Sequence, residues 1–153
     1  MKLKLIAIGN IMMGDDGIAI TIAQKLEKEL MDQGIEIIYG ETDPFYSISE
    51  ITGEDFLILL DAARLGKSKG EITVLPLRDY QGDSILEQHN IRLPDLLKLF
   101  FPFQNGVICA IEIDEISFSD TLSEPMIEKI DKITEEVRGI IRTFQLLAKD
   151  GSS

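Results

Sequence analysis

The first apolar run, Lys2 to Ile8, is rich in leucine and isoleucine and closes at Gly9-Asn10, which predicts an opening strand. From Asp16 the period lengthens. Ile18, Ile22, Leu26 and Leu30 recur every fourth residue, with Ala19 and Ala23 beside them and Lys25, Glu27, Lys28 and Glu29 on the other faces, so an amphipathic helix runs to Gly34. Ile35 to Tyr39 predicts a second strand that leads into Gly40 and a polar stretch. Phe56 to Leu60, apolar at every position, predicts a third, covered on both faces. Ile72 to Leu75 before Pro76, and Val107 to Ile113 after Asn105-Gly106, supply a fourth and a fifth.

Leu77 to Arg92 has little periodicity, and loops of that length inside compact domains are often functional. Pro94 to Phe101 then predicts a short helix with proline in its first turn. The last helix is clearest: Ser123 can cap it, and Met126, Ile130, Ile133, Val137, Ile140, Phe144 and Leu147 repeat at threes and fours. Asp150 to Ser153 reads as a disordered tail, which leaves residues 1–149 as a single domain. Strands alternating with helices predict an α/β fold, a three-layer α/β/α sandwich around a mostly parallel five-stranded sheet.

Composition narrows the function. The 153 residues are 44% hydrophobic, enough for one good core, and carry a net charge of −12. That charge repels a phosphate backbone, so no nucleic-acid partner is expected. One cysteine and one histidine exclude an intrachain disulfide and a structural zinc site of the Cys/His kind. The N-terminal apolar run stops at Gly9-Asn10, is followed by acids and lacks a small-x-small cleavage site, so it does not read as a signal peptide; the longest strongly apolar stretch, Phe56 to Leu60, is far short of a membrane helix, which predicts a cytoplasmic protein without membrane insertion.

Ligands of open α/β sheets bind beyond the carboxyl ends of the strands. Gly9-Asn10 and Gly14-Asp15-Asp16-Gly17 leave the first strand, Glu41 and Asp43 follow the second, Asp61 ends the third, and Asp114-Glu115 ends the fifth. Asp61 follows five apolar residues, where an ionised carboxylate needs a partner or a metal. One of Asp15 and Asp16 suffices as a helix cap. That role suits Asp15 and leaves Asp16 available. His89, in the irregular segment, is the only imidazole. Two carboxylates and an imidazole on three separate loops suit a divalent transition metal with positions open for water or substrate. Cys109 reads as a buried hydrophobe. Gly9-Asn10-Ile11-Met12-Met13-Gly14 lacks dinucleotide spacing, and nothing supports a Ser/His or Cys/His triad.

At Gly9-Asn10-Ile11-Met12-Met13-Gly14-Asp15-Asp16-Gly17 the chain resembles the hydrogenase maturation endopeptidases, which trim the C-terminal peptide from the large subunit of nickel–iron hydrogenases. Leu57 to Ala62 resembles the family's strand ending in Asp, and His89 to Leu97 its histidine loop and following helix. Ala110-Ile111-Glu112-Ile113-Asp114 stands where the family has Gly-x-x-Pro-Glu. The resemblance implies a phosphorylase/hydrolase-like fold and a peptidase whose catalytic and metal-binding residues are Asp16, Asp61 and His89. Gly9, Asn10, Asp43 and Asp114 are expected to contact the substrate. The metal it implies is nickel carried by the hydrogenase large-subunit precursor, with other divalent transition metals able to substitute. The enzyme is expected to act as a monomer. Glu41-Thr42-Asp43-Pro44-Phe45 departs from the family's Gly-Thr-x-Gly-type turn. Two other readings fit some of the residues: a metal-binding maturation chaperone that docks without cutting, and a receiver-like phosphoacceptor domain. The second of these lacks the lysine expected after the fifth strand.

Overall fold

The computed structural model describes residues 1–81 and 92–151. Five strands form one sheet: β1 (Leu3–Ile8), β2 (Glu36–Glu41), β3 (Phe56–Ala63), β4 (Ile72–Pro76) and β5 (Asn105–Glu112). Their order is β2-β1-β3-β5-β4. The β1–β2, β1–β3 and β3–β5 pairs are parallel, and only the edge strand β4 runs antiparallel, against β5. The expected mostly parallel five-stranded α/β sheet is therefore present.

Side chains alternate across each strand, so the unbroken apolar runs serve two cores. Leu5, Ala7, Ile58, Leu60, Cys109 and Ile111 pack beneath α1 (Ile18–Asp32) and α4 (Glu124–Gly151). Ile6, Ile38, Leu57, Leu59 and Ile108 face the other layer with Ile51, Leu77, Leu93 and Leu97, where α2 (Pro44–Ser49) and α3 (Leu93–Phe100) lie. Burial on both faces is what permits hydrophobic residues at every position.

Several expectations need correction. A 3-10 turn over Gly14–Gly17 precedes α1, so Asp16 lies in a tight connector outside the helix. The β3 strand runs on to Ala63, because Asp61, Ala62 and Ala63 pair with Ala110, Ile111 and Glu112 of β5. Asp61 thus stands inside the strand, one position past the last β1 pair, Ala7–Leu60. The polar stretch after β2 folds into α2, with Asp43 Oδ1 accepting from the Phe45 and Tyr46 amides. On α4, Met126, Ile133, Val137 and Ile141 are buried, while Leu147 is exposed. Residues 152–153 of the expected tail lie outside the described residues. Among the described residues no helix is long and apolar enough to cross a membrane.

Candidate functional site

Four of the five strands point their carboxyl ends to one rim, and the candidate residues gather there. Where β1 ends, Gly9 turns at a φ of +144°, and a Cβ there would run into the Asp16 carbonyl oxygen. Only glycine serves this position. The turn folds back so that Asp16 Oδ2 accepts from the Asn10 amide at 2.9 Å. Asn10 in turn holds the loop, its Oδ1 accepting from the Met12 amide at 2.9 Å.

Asp15 and Asp16 divide their work differently from the expected cap. Neither the Gly14–Gly17 turn nor α1 has a side-chain cap bond. Asp15 is fully buried, and its carboxylate accepts from the amides of Asp114, Glu115 and Ser123 and from the Ser123 hydroxyl, at 2.8–3.2 Å. The expected Ser123 side-chain cap is replaced by this bond, and the Ser123 carbonyl accepts the first α4 bond, from Ile127. A carboxylate with this many donors joins three segments at the rim. Asp16 is left facing the clefts.

Asp61 is the electrostatic centre. Its side chain is 14% exposed, and Oδ2 pairs with Nη2 of Arg92 at 2.9 Å. Burial pushes its carboxyl up to about 6; the Asp16 charge adds to the rise, while Arg92 and the Ala62 amide oppose it. The structure thus brings Asp16 and Asp61 within each other's field. A carboxyl near neutrality in a cleft marks a candidate functional group. Burial works against the charge of Arg92, yet Asp61, Tyr80 and Asp95 hold its guanidinium raised.

Two clefts meet at this trio. One, of about 650 Å³, is lined by Gly9, Gly40, Thr42, Asp43 and Phe45 besides Asp16, Asp61 and Arg92. The other, of about 510 Å³, extends past the same three residues along Ala62, Arg64, Tyr80 and Ile116. Asp43 lines the first cleft as the α2 cap, and Gly9 forms its wall. Asp114 meets Asp15 through its backbone amide, beside the clefts. His89 lies outside the described residues, and among those described no three His, Cys, Asp or Glu side chains cluster as a metal site. Cys109 is buried in β5, its thiol pushed up to about 12 by burial, which suits the expected hydrophobe.

Sequence reasoning missed Arg92. Its signal was a cation immediately before an apolar helix, where the helix dipole disfavours one. It also missed Glu112, which is buried and accepts from the Leu65 amide with both oxygens, fixing the connection after β3.

Residues 20–140 match the family described as HycI, hydrogenase maturation protease. The chain belongs to the hydrogenase maturation protease family. As a member it is a peptidase. The matched span includes positions 61 and 89 and begins after Asp16. A Methanocaldococcus jannaschii protein, whose name provisionally places it among the hydrogenase maturation proteases, is 27% identical over 150 residues, covering 90% of this chain and 95% of its own. The hydrogenase 3 maturation protease of Escherichia coli strain K12 is 25% identical over 138 residues, 88% of each chain. The fold is similar to that of the hydrogenase maturation protease HycI from Thermococcus kodakarensis, with a TM-score of 0.75 at 18% identity over 92% of both chains. Membership displaces the phosphoacceptor reading, and the antiparallel β4 agrees, since the receiver-like sheet is a doubly wound parallel one.

Proposed function

We propose that this maturation protease removes the C-terminal peptide from a nickel–iron hydrogenase large-subunit precursor after nickel has been inserted, and that it reads the substrate-borne metal with Asp16, Asp61 and His89. The observation that carries the reading is the convergence of Asp16 and Asp61 where two open clefts meet. The donor set fits a cation: both groups are carboxylates, Asp61 is desolvated, and the Asp16 charge beside it adds to its need for positive charge. Nickel held by the substrate would mark the scissile region and polarise its carbonyl.

The chain's own residues do the rest. Gly9 lines the first cleft beside Asp16, and the two clefts accommodate chain on either side of the acid pair. The test is incubation with a nickel-loaded large-subunit precursor. Loss of its C-terminal peptide is expected, and no cleavage across matched precursors would sink the reading. His89→Ala is expected to weaken Cd²⁺ binding, read by calorimetry. Unchanged affinity would remove His89 from the set.

A further inference from the structure

We infer that Arg92 is the removable counter-cation of the acid pair, seated on Asp61 in the free protein and moved to Asp95 when a divalent cation takes Asp61. The inference rests on the metal reading above and concerns residues to which that reading gives no role.

The placement of Arg92 is the first argument. It occupies the cap position of α3, makes no side-chain cap bond there, and brings positive charge to a helix N-terminus. A short polar or acidic residue is favoured at such a position, so helix formation does not explain the arginine. Departures from local rules concentrate at functional sites.

The second argument is asymmetry of burial. Asp61 is largely covered, whereas the Arg92 side chain is 50% exposed and borders both clefts. It is anchored at one oxygen, at 2.9 Å, with open space on both sides. A divalent ion on Asp61 would repel a guanidinium at that distance.

The third is a second seat. Asp95, in the first turn of α3, has a buried Oδ2 with no hydrogen-bond partner among the described residues, and its charge already acts on Arg92. A buried carboxylate oxygen without a donor is costly, and its orphaning needs an explanation. Residues three apart along a helix are neighbours on its surface, and here the Asp95 amide donates to the Arg92 carbonyl at 3.0 Å, which holds the two residues together. Moving Arg92 to Asp95 would satisfy that oxygen as the Asp61 bond is lost.

Calorimetric titration of the full chain with Cd²⁺ alone tests this, with folding checked by circular dichroism. Arg92→Met is expected to bind Cd²⁺ roughly tenfold more tightly, because the internal competitor is gone, and Arg92→Lys to stay near wild type. A merely structural Arg92 predicts weaker binding. Asp95→Asn is expected to bind about threefold more weakly, an effect that vanishes in the Arg92→Met background if Asp95 acts through Arg92. Wild-type binding that Arg92→Met leaves unchanged or weakens overturns the inference alone. An Asp95→Asn effect that persists without Arg92 overturns the second seat. Absence of Cd²⁺ binding in both wild type and Arg92→Met removes the metal reading and this inference with it.

Discussion

Asp61 stores a pH dependence that its neighbours only partly cancel. Its folded carboxyl lies at about 6 against an ordinary 3.8, so the fold favours the protonated form. The contribution to stability is complete below the unfolded value and is lost as pH rises through 6. Asp61→Asn is therefore expected to stabilise the protein at pH 7.5 by up to ~3 kcal/mol, the Arg92 pair being already included in the shift, and to change little at pH 4. Urea denaturation at the two pH values measures this. Glu41 is a second local stress: its φ of +49° lies in the left-handed region, at the carboxyl end of β2. Glu41→Gly is expected to raise stability by roughly 1 kcal/mol, measurable as a higher urea midpoint. The place of Asp61 at the rim was legible because a polar group that closes an apolar run has few cheap explanations, whereas Asp16 was singled out through a helix cap by Asp15 that the structure does not form. Arg92 was not, because its partner comes from a distant strand and its sign opposes the helix it introduces.

Elements meet at the short Gly14–Gly17 turn. Asp15→Ala would strand the amides of Asp114, Glu115 and Ser123 and the Ser123 hydroxyl, and an expected loss of about 3 kcal/mol or more follows from orphaning donors of a buried carboxylate. Asp16→Ala removes a single bond to Asn10 and is expected to cost under ~2 kcal/mol while abolishing cleavage. Paired denaturation and precursor assays separate the two acids. The helix α2 was hidden by its brevity, although Asp43-Pro44 carries the signature of a cap followed by a first-turn proline. Long periodic segments such as α1 and α4 were readable because their stripes match the helical period over several turns.

Across the molecule, fold and chemistry occupy opposite rims of the sheet. At the amino ends of the strands, Lys4 is buried against Asp55 at 2.9 Å and Glu36 at 3.4 Å, and donates to the Glu50 carbonyl. Lys4→Met would leave the covered Asp55 charge without its cation, holding only the Thr52 amide, and a loss of about 3 kcal/mol is expected with Cd²⁺ affinity unchanged. Denaturation and calorimetry on the same variant check both halves. The pair escaped the sequence reading because Lys4 sits in an apolar strand and Asp55 in a turn, with nothing local to link them. The layer order and the parallel pairs were legible from alternation of periods. The reversed direction of β4 was not, since a short apolar run looks the same in either sense.

The turn at Gly14–Gly17 also sets a rule for how the site can vary. In a 3-10 turn successive residues point about 120° apart, so Asp15 reaches inward to Ser123 while Asp16 faces outward to the clefts. Deleting or inserting one residue before Asp15 would exchange a fastening for a reagent with both acids still in the sequence. Drift in this protein should therefore be tolerated in the side chains around the turn far more readily than in its length.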